Sequence, residues 1–285
     1  MNALKRIYLS PNPKKDEGLE TTFRIYDLLC GEGCTVVCSS ACIGYRADIH
    51  ICDKCPSDSE LIVVVGGDGS FIDASSDAIR LDIPIIGVNL GRVGYLSEVS
   101  PSDIEQLKRI ITGDYTVSEK NLIETSFGAD GEETISERLA VNDVVISHTS
   151  YIEISDFVVS GNEGGVRYRA DGVVISTPQG STAYSFSAGG PVVSHGTDAM
   201  IVTPIAPHSF FNRSIIFSAG DTLNIKNTGD SPMNISVDGR LIGKLLPSEK
   251  CKVACASEKL KVLTFKENNM FFNLFGKMQT VEDVL

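Results

Sequence analysis

Leu61–Val65 reads LIVVV and runs directly into GGDGS at Gly66–Ser70. A strand that alternates polar and apolar residues can leave one face in water. An unbroken apolar run cannot, so this one must be covered on both faces, as strands are in parallel sheets flanked by helices. Helical spacing follows over Ser70–Arg80. Strand, glycine turn and helix in that order place the first part of the chain among α/β folds. Its neighbours read the same way. Leu4–Leu9, Thr35–Cys38 and Ile83–Val88 are expected strands. Gly18–Cys30 is an expected helix, with Leu19, Phe23, Tyr26 and Leu28 or Leu29 on one side, and Pro101–Ile111 is another, with Ser100 or Ser102 placed to cap it.

The pattern changes at about Thr116. Short stretches punctuated by Gly, Pro, Asn and Asp follow: Arg138–Ser147, Ile152–Val159, Gly172–Ser176, Ile201–Pro204, Ser214–Phe217, Thr222–Ile225, Asn234–Val237, Lys252–Ala254 and Leu260–Phe265. Such a series predicts an antiparallel β domain, and Asp238-Gly239 is a hairpin-turn signal inside it. The expected organisation is an α/β N-terminal nucleotide-fold domain over residues 1–115 plus an all-β C-terminal domain over 116–265. The apolar segment Asn268–Lys277, within 266–285, is expected to pack back on the N-terminal domain. A length of 285 residues suits two domains.

The 25 Lys and Arg against 37 Asp and Glu give a net charge of −12. That balance argues against nucleic-acid and anionic-membrane partners, which need clustered cations. It leaves phosphate-bearing small molecules open, because backbone N–H groups and metal ions can hold those. No stretch of signal-peptide or membrane-span length is apparent, and the chain reads as cytoplasmic. Cys30, Cys34, Cys38 and Cys42 recur every fourth residue, Cys52 and Cys55 form a CxxC, and Cys251 and Cys255 lie far downstream. Reduced, buried thiols account for them better than a metal site, because His50 alone does not complete a ligand set. Thiol oxidation at the 30–55 cluster is a further use that the pattern leaves open.

Glycines directly after a buried strand let the backbone turn sharply and approach a ligand, and the next helix presents its first N–H groups to an anion. The loop is not G-x-x-x-x-G-K-[ST], and the third glycine of the dinucleotide fingerprint is missing. What it adds is Asp68. Three further stretches accompany it: GVNLGRVGYL at Gly87–Leu96, Asn142-Asp143, and DGVVISTPQGSTAYSFSAGGP at Asp171–Pro191. SVDGR follows at Ser236–Arg240.

With these stretches the chain closely resembles the NAD kinases, over about residues 61–98 and 139–240. The glycine–aspartate loop alone is shared with diacylglycerol-type lipid kinases and, more distantly, phosphofructokinases. The Asp171–Pro191 stretch is the discriminating feature. The resemblance implies an NAD kinase/diacylglycerol kinase-like fold, ATP as phosphoryl donor, Mg²⁺ or another divalent cation as cofactor, and NAD as acceptor. It also implies a homodimer or homotetramer, with the site in the cleft between the domains. By resemblance Asp68 takes the proton of the adenosine 2′-hydroxyl, and Gly66, Gly67, Gly69 and Ser70 cradle phosphates. The family more often has Thr at the position of Ser70. Asn142 and Asp143, the latter where Glu is common, would bond the adenosine side of NAD and its ribose. Asp171 would lie near the nicotinamide end. Thr182, Ala183 and Tyr184 would line the adenine and ribose pocket, with Ser187 nearby and Asp238 and Arg240 in a late loop. Two rivals stay open here: a lipid or other small-molecule kinase sharing the loop, and a dinucleotide-binding sensor without turnover.

Overall fold

A computed structural model describes residues 3–91, 96, 98–128, 134–136, 139–150 and 154–265. The chain divides into two compact units, one made of residues up to Glu119 together with those from Leu260 on, the other of Lys120–Lys259.

In the first unit β1 (Arg6–Pro11), α1 (Glu20–Gly31), β2 (Thr35–Ser39), β3 (His50–Cys52), β4 (Leu61–Gly66), α2 (Asp68–Leu81), β5 (Ile85–Asn89) and the one-turn α3 (Arg109–Thr112) succeed one another. The strands form a parallel sheet in the order β3-β2-β1-β4-β5. Every residue of β4 is buried, as its composition requires. Ile7, Leu9, Leu61, Val63, Val65 and Ile86 share a core with Leu29 of α1 and Leu107. The chain leaves β1 toward one edge through β2 and β3, then returns to lay β4 on the other side of β1. This reversal puts the carboxyl ends of β1 and β4 side by side, the place where open α/β sheets bind ligands.

Three expected boundaries move. α1 starts at Glu20 instead of Gly18, because Gly18 and Leu19 both adopt positive φ (60° and 57°). There Asp16 takes over the capping, its carboxylate accepting from Thr21 N at 3.1 Å and Thr22 N at 2.8 Å. α2 starts at Asp68, so Asp68, Gly69 and Ser70 form its first turn instead of a loop. Pro101–Ile111 is a 3₁₀ turn over Ile104–Lys108 that continues into α3, without a serine cap. Ser100 Oγ instead bonds Ser102 Oγ at 2.6 Å and Asp103 Oδ2 at 2.7 Å.

β6 (Thr116–Gly128) carries the chain into the second unit and pairs with the two-residue β7 (Thr134–Ile135). There follow β8 (Asp143–His148), β9 (Ser155–Gly161), β10 (Gly164–Ala170), β11 (Gly172–Ser176), the single-turn α4 (Tyr184–Ser187), β12 (Ala199–Ile205), β13 (Ile215–Ser218), β14 (Thr222–Asn227), β15 (Met233–Val237), β16 (Arg240–Leu245) and β17 (Lys250–Thr264). One antiparallel sheet runs β13-β12-β11-β8-β15-β16. Facing it are β10, β9, β14 and the first part of β17. Ile146, Val173, Ile175 and Ile235 from one layer share a core with Phe157, Tyr168, Leu223 and Val253 from the other. This is the packing of a β-sandwich. The two expected strands at Lys252–Ala254 and Leu260–Phe265 are one 15-residue strand, β17. β6, β7 and β10 match none of the expected stretches, and β16 was implied only by the hairpin-turn signal at Asp238-Gly239. The expected C-terminal packing of 268–277 lies outside the described residues.

Candidate functional site

The first unit builds its cluster at the β1/β4 reversal. Gly66 ends β4 and Gly67 is extended (φ −125°, ψ −173°) before α2 begins. A Cβ on Gly66 would lie 2.7 Å from Ser70 Oγ and 3.2 Å from Asn12 Cβ, so glycine is required there. Gly69 is different, since a Cβ there would meet nothing within 4 Å. Ser70 Oγ accepts from Asn12 Nδ2 at 2.8 Å, which joins the end of β1 to the first turn of α2. Asp68 Oδ1 accepts from Leu96 N at 3.3 Å. Asn89, at the end of β5, accepts from Gly91 N at 3.3 Å. Lys15 brings its ammonium against Gly67, at the position a Cβ there would take. The sequence reading missed Asn12 and Lys15. The signal was available: NPKK stands directly after a strand, as GGDG does.

The second unit builds its cluster from three neighbouring strand ends. Val237↔Val144 and Ser176↔Asp143 are paired residues, so the start of β8, the end of β11 and the end of β15 lie together. The β15–β16 turn has Asp238 at φ 47° and Gly239 at φ 76°. Positive φ at both central residues is the twist-matched hairpin turn that Asp-Gly favours. The turn aims the Asp238 carboxylate at backbone: Oδ2 accepts from Val141 N at 2.8 Å, and Oδ1 accepts from Asn142 N at 2.8 Å and Asp143 N at 3.0 Å. Asp238 is therefore a clamp on Asn142 and Asp143.

Asp143 is buried, at 5% exposure. Burial first, and the charge of Asp238 second, push its carboxyl up to about 7. Beside it, the buried Ser176 Oγ and Gln179 Oε1 have no hydrogen-bond partner. Buried polar groups without partners are costly.

The segment after β11 is folded tightly onto this corner. Thr177 Oγ1 donates to Val141 O at 2.7 Å and accepts from Gly180 N at 2.9 Å. A side chain on Gly180 would collide with the Asn142 carbonyl. Thr182 is buried and Ala183 half-buried, while Tyr184 and Ser187 in α4 and Arg240 at the start of β16 are exposed. Ser185, not Ser187, points inward and bonds Thr203 Oγ1 at 3.0 Å. Asp171 does not join the corner. It precedes Gly172, which pairs with Ser147 at the other end of β8. The five residues of β11 (Gly172–Ser176) put roughly 17 Å between the two ends.

A glycine–aspartate loop at a parallel-sheet reversal, together with a β unit carrying a clamped polar corner, defines a small-molecule kinase. Residues 7–115 match the ATP-NAD kinase N-terminal domain and residues 141–265 the ATP-NAD kinase C-terminal domain. The chain is 34% identical to the NAD kinase of Lachnoclostridium phytofermentans over 95% of its own length and 97% of that relative. It is 31% identical to the NAD kinase of Natranaerobius thermophilus over 99% and 100%. Among solved structures, yeast NADH kinase complexed with NADH superposes with a TM-score of 0.84 at 21% identity, over 98% of this chain and 87% of that one. The NAD kinase from Archaeoglobus fulgidus in complex with ATP gives 0.74 at 24% identity, over 96% and 98%. The chain belongs to the ATP-NAD kinase family.

Proposed function

We propose that this chain transfers the terminal phosphoryl group of ATP to the adenosine 2′-hydroxyl of NAD, giving NADP. Asp68 carries the reading. Its carboxylate opens α2 directly after Gly66 and Gly67, beside the backbone proposed to hold the phosphates. A carboxylate is a weak base for a sugar hydroxyl. It orients the hydroxyl and accepts its proton late in the transfer, as phosphoryl transfer relies on positioning more than on covalent help. Gly66, Gly67, Gly69 and Ser70 hold phosphate oxygens. Asn142 and Asp143 hold the ribose and adenosine side, a carboxylate being able to accept from both hydroxyls of a vicinal diol. Thr182, Ala183 and Tyr184 take the adenine side. Asp238 acts by fixing Asn142 and Asp143.

Among the described residues no three His, Cys, Asp or Glu side chains converge as a metal site. Mg²⁺ commonly needs only one or two carboxylates besides substrate phosphates. Asp68, the carboxylate of the loop, fits that demand, and the cation would arrive with the triphosphate. Bound there, Mg²⁺ supplies positive charge to the phosphate oxygens.

Asp171, just before β11, lies at the opposite end of the β8–β11 pair from Asp143, which supports a homodimer or homotetramer in which Asp171 serves the site of a second copy. Among the described residues no helix is long and apolar enough to cross a membrane. We place the protein in the cytoplasm, where its eight free thiols stay reduced.

The test is a coupled NADP assay with ATP, Mg²⁺ and NAD on wild type and Asp68→Asn. Turnover in the wild type, lost in the variant with NAD affinity kept, supports the reading. Binding of NAD without turnover in either protein converts it to a dinucleotide sensor.

A further inference from the structure

We propose that the second unit carries a further ligand site, away from the clamped corner, for a small organic cation with amine or guanidino N–H donors. The site is a cavity between the end of β8, the start of β9 and the turn from β14 to β15. It has a volume of about 280 Å³ and is lined by His148, Asp156, Asn227, Thr228 and Asp230, among others. Pockets that hold drug-sized ligands run from about 300 Å³ upward, so this one suits a molecule of a few carbons and not a dinucleotide. His148 ends β8 and Asp143 begins it, which puts roughly 17 Å of strand between cavity and corner.

The protein itself fixes the walls. Asn227 is 1% exposed. Its Oδ1 accepts from Gly229 N at 3.0 Å, and its Nδ2 donates to Ser231 O at 2.9 Å and Leu245 O at 3.1 Å, so the turn is closed on its own side chain. Thr228 N donates to Asp156 O at 2.9 Å and Thr149 Oγ1 donates to Pro232 O at 3.4 Å, which ties the turn to β9 and to the residue after β8. Within this frame two buried polar atoms, His148 Nδ1 and Thr228 Oγ1, have no hydrogen-bond partner. Each can accept from an N–H group, and each is costly while unpaired.

Charge selects the ligand. Asp156 and Asp230 line the cavity and enter no ion pair, and among the described residues no Lys or Arg lines it. Arg169 stands across from Asp156 in the β9–β10 register but lies outside the lining. Two uncompensated carboxylates repel phosphates and attract a cation. A directly ligated metal ion matches poorly, because among the described residues no three His, Cys, Asp or Glu side chains converge. An organic cation answers both demands. Its charge meets the carboxylates, and its N–H groups reach His148 and Thr228.

The test is a calorimetric titration of the full chain with 1,4-diaminobutane. Saturable binding of one diamine per chain is expected. Butane-1,4-diol, of the same length and uncharged, should bind at least about tenfold more weakly. Asp230→Asn, at an exposed position, and Thr228→Val, which keeps the shape and loses the hydroxyl, should each weaken the diamine about threefold or more with Tm kept. Asp53→Asn, an exposed acid of the first unit, should leave its Kd within about twofold, and so should saturating NAD. Absence of saturable diamine binding overturns the site, as does an unchanged Kd in Asp230→Asn, the variant that decides if Thr228→Val melts early. Equal binding of the diol, or an equal loss in Asp53→Asn, overturns recognition of an organic cation by these residues. Displacement of the diamine by magnesium chloride at equal concentration overturns the ligand class in favour of a metal ion. Competition with NAD overturns the separation of this cavity from the acceptor site.

Discussion

The two units build their polar clusters from opposite materials. In the first, the strand end is made of glycine and backbone, with Asp68 and Lys15 as the charged side chains beside it. In the second, backbone geometry is imposed by a side chain: the Asp238 carboxylate gathers three N–H groups and so fixes Asn142 and Asp143. A backbone cradle tolerates little change where a Cβ would collide but is otherwise indifferent to side-chain loss. A clamped corner fails as a whole when its one anchor goes.

The sharpest break between the two is Asp68→Asn. Turnover is expected to fall by a factor of about 10²–10⁴, the usual range for losing a general base. Folding and NAD affinity are expected to stay intact, and a Kd measured by calorimetry beside kcat checks both. A parallel loss of NAD affinity would mean that Asp68 belongs to binding.

Asp238→Ala should do the reverse. Three charge-assisted hydrogen bonds are lost and three N–H groups are orphaned, so stability is expected to drop by roughly 3 kcal/mol in denaturant unfolding. KM for NAD should rise before kcat changes. Retained stability would show that Asn142 and Asp143 are held by β8 alone.

Asp143 offers a pH test. Its carboxyl is pushed up to about 7, while in the unfolded chain it titrates near 3.9. Between those values the folded state binds more protons, so its contribution to stability grows as pH falls from about 7 toward 4 and is lost as pH rises. NAD held by the charged carboxylate behaves oppositely, weakening by up to about tenfold per pH unit below 7. Asp143→Asn should flatten both profiles, measured as Tm and as Kd across pH 5–8.

The smallest effect is expected at Gly69. A Cβ there meets nothing, and alanine suits the first turn of α2, so Gly69→Ala should leave Tm unchanged or raised by a degree or two. Any loss of activity in that variant would then report a phosphate lying against the loop.

Much of this was legible in the sequence wherever one signal dominated locally. The apolar run of β4 and the Asp-Gly turn after β15 are such cases, and Gly172–Ser176 was bounded to the residue. The departures have physical reasons. α2 begins two residues early because an extended Gly67 lets Asp68 enter the helix directly. β17 reads as two strands because Glu258 and Lys259 interrupt its pattern, although Glu258 points to solvent, Lys259 donates to Asn121, and the strand runs on through both. Gly18–Leu19 breaks the start of α1 through left-handed backbone, which no pattern of hydrophobicity reports. Within the site, residue types were legible but their partners were not. Asp238 was read as a ligand group, while its three hydrogen bonds depend on a turn nearly a hundred residues from the backbone it holds.

The first unit is also out of step with the order of synthesis. Leu263 and Phe265 belong to its core, and Val262 pairs with Ile85 on its outer parallel strand. A ribosome therefore finishes β1–β5 well before the residues that cover the β5 edge exist. Until they emerge, that edge is open to any other strand, the situation in which nascent chains misassociate. A shortened chain that stops before Leu260 keeps every residue of the glycine loop and still leaves its sheet unfinished.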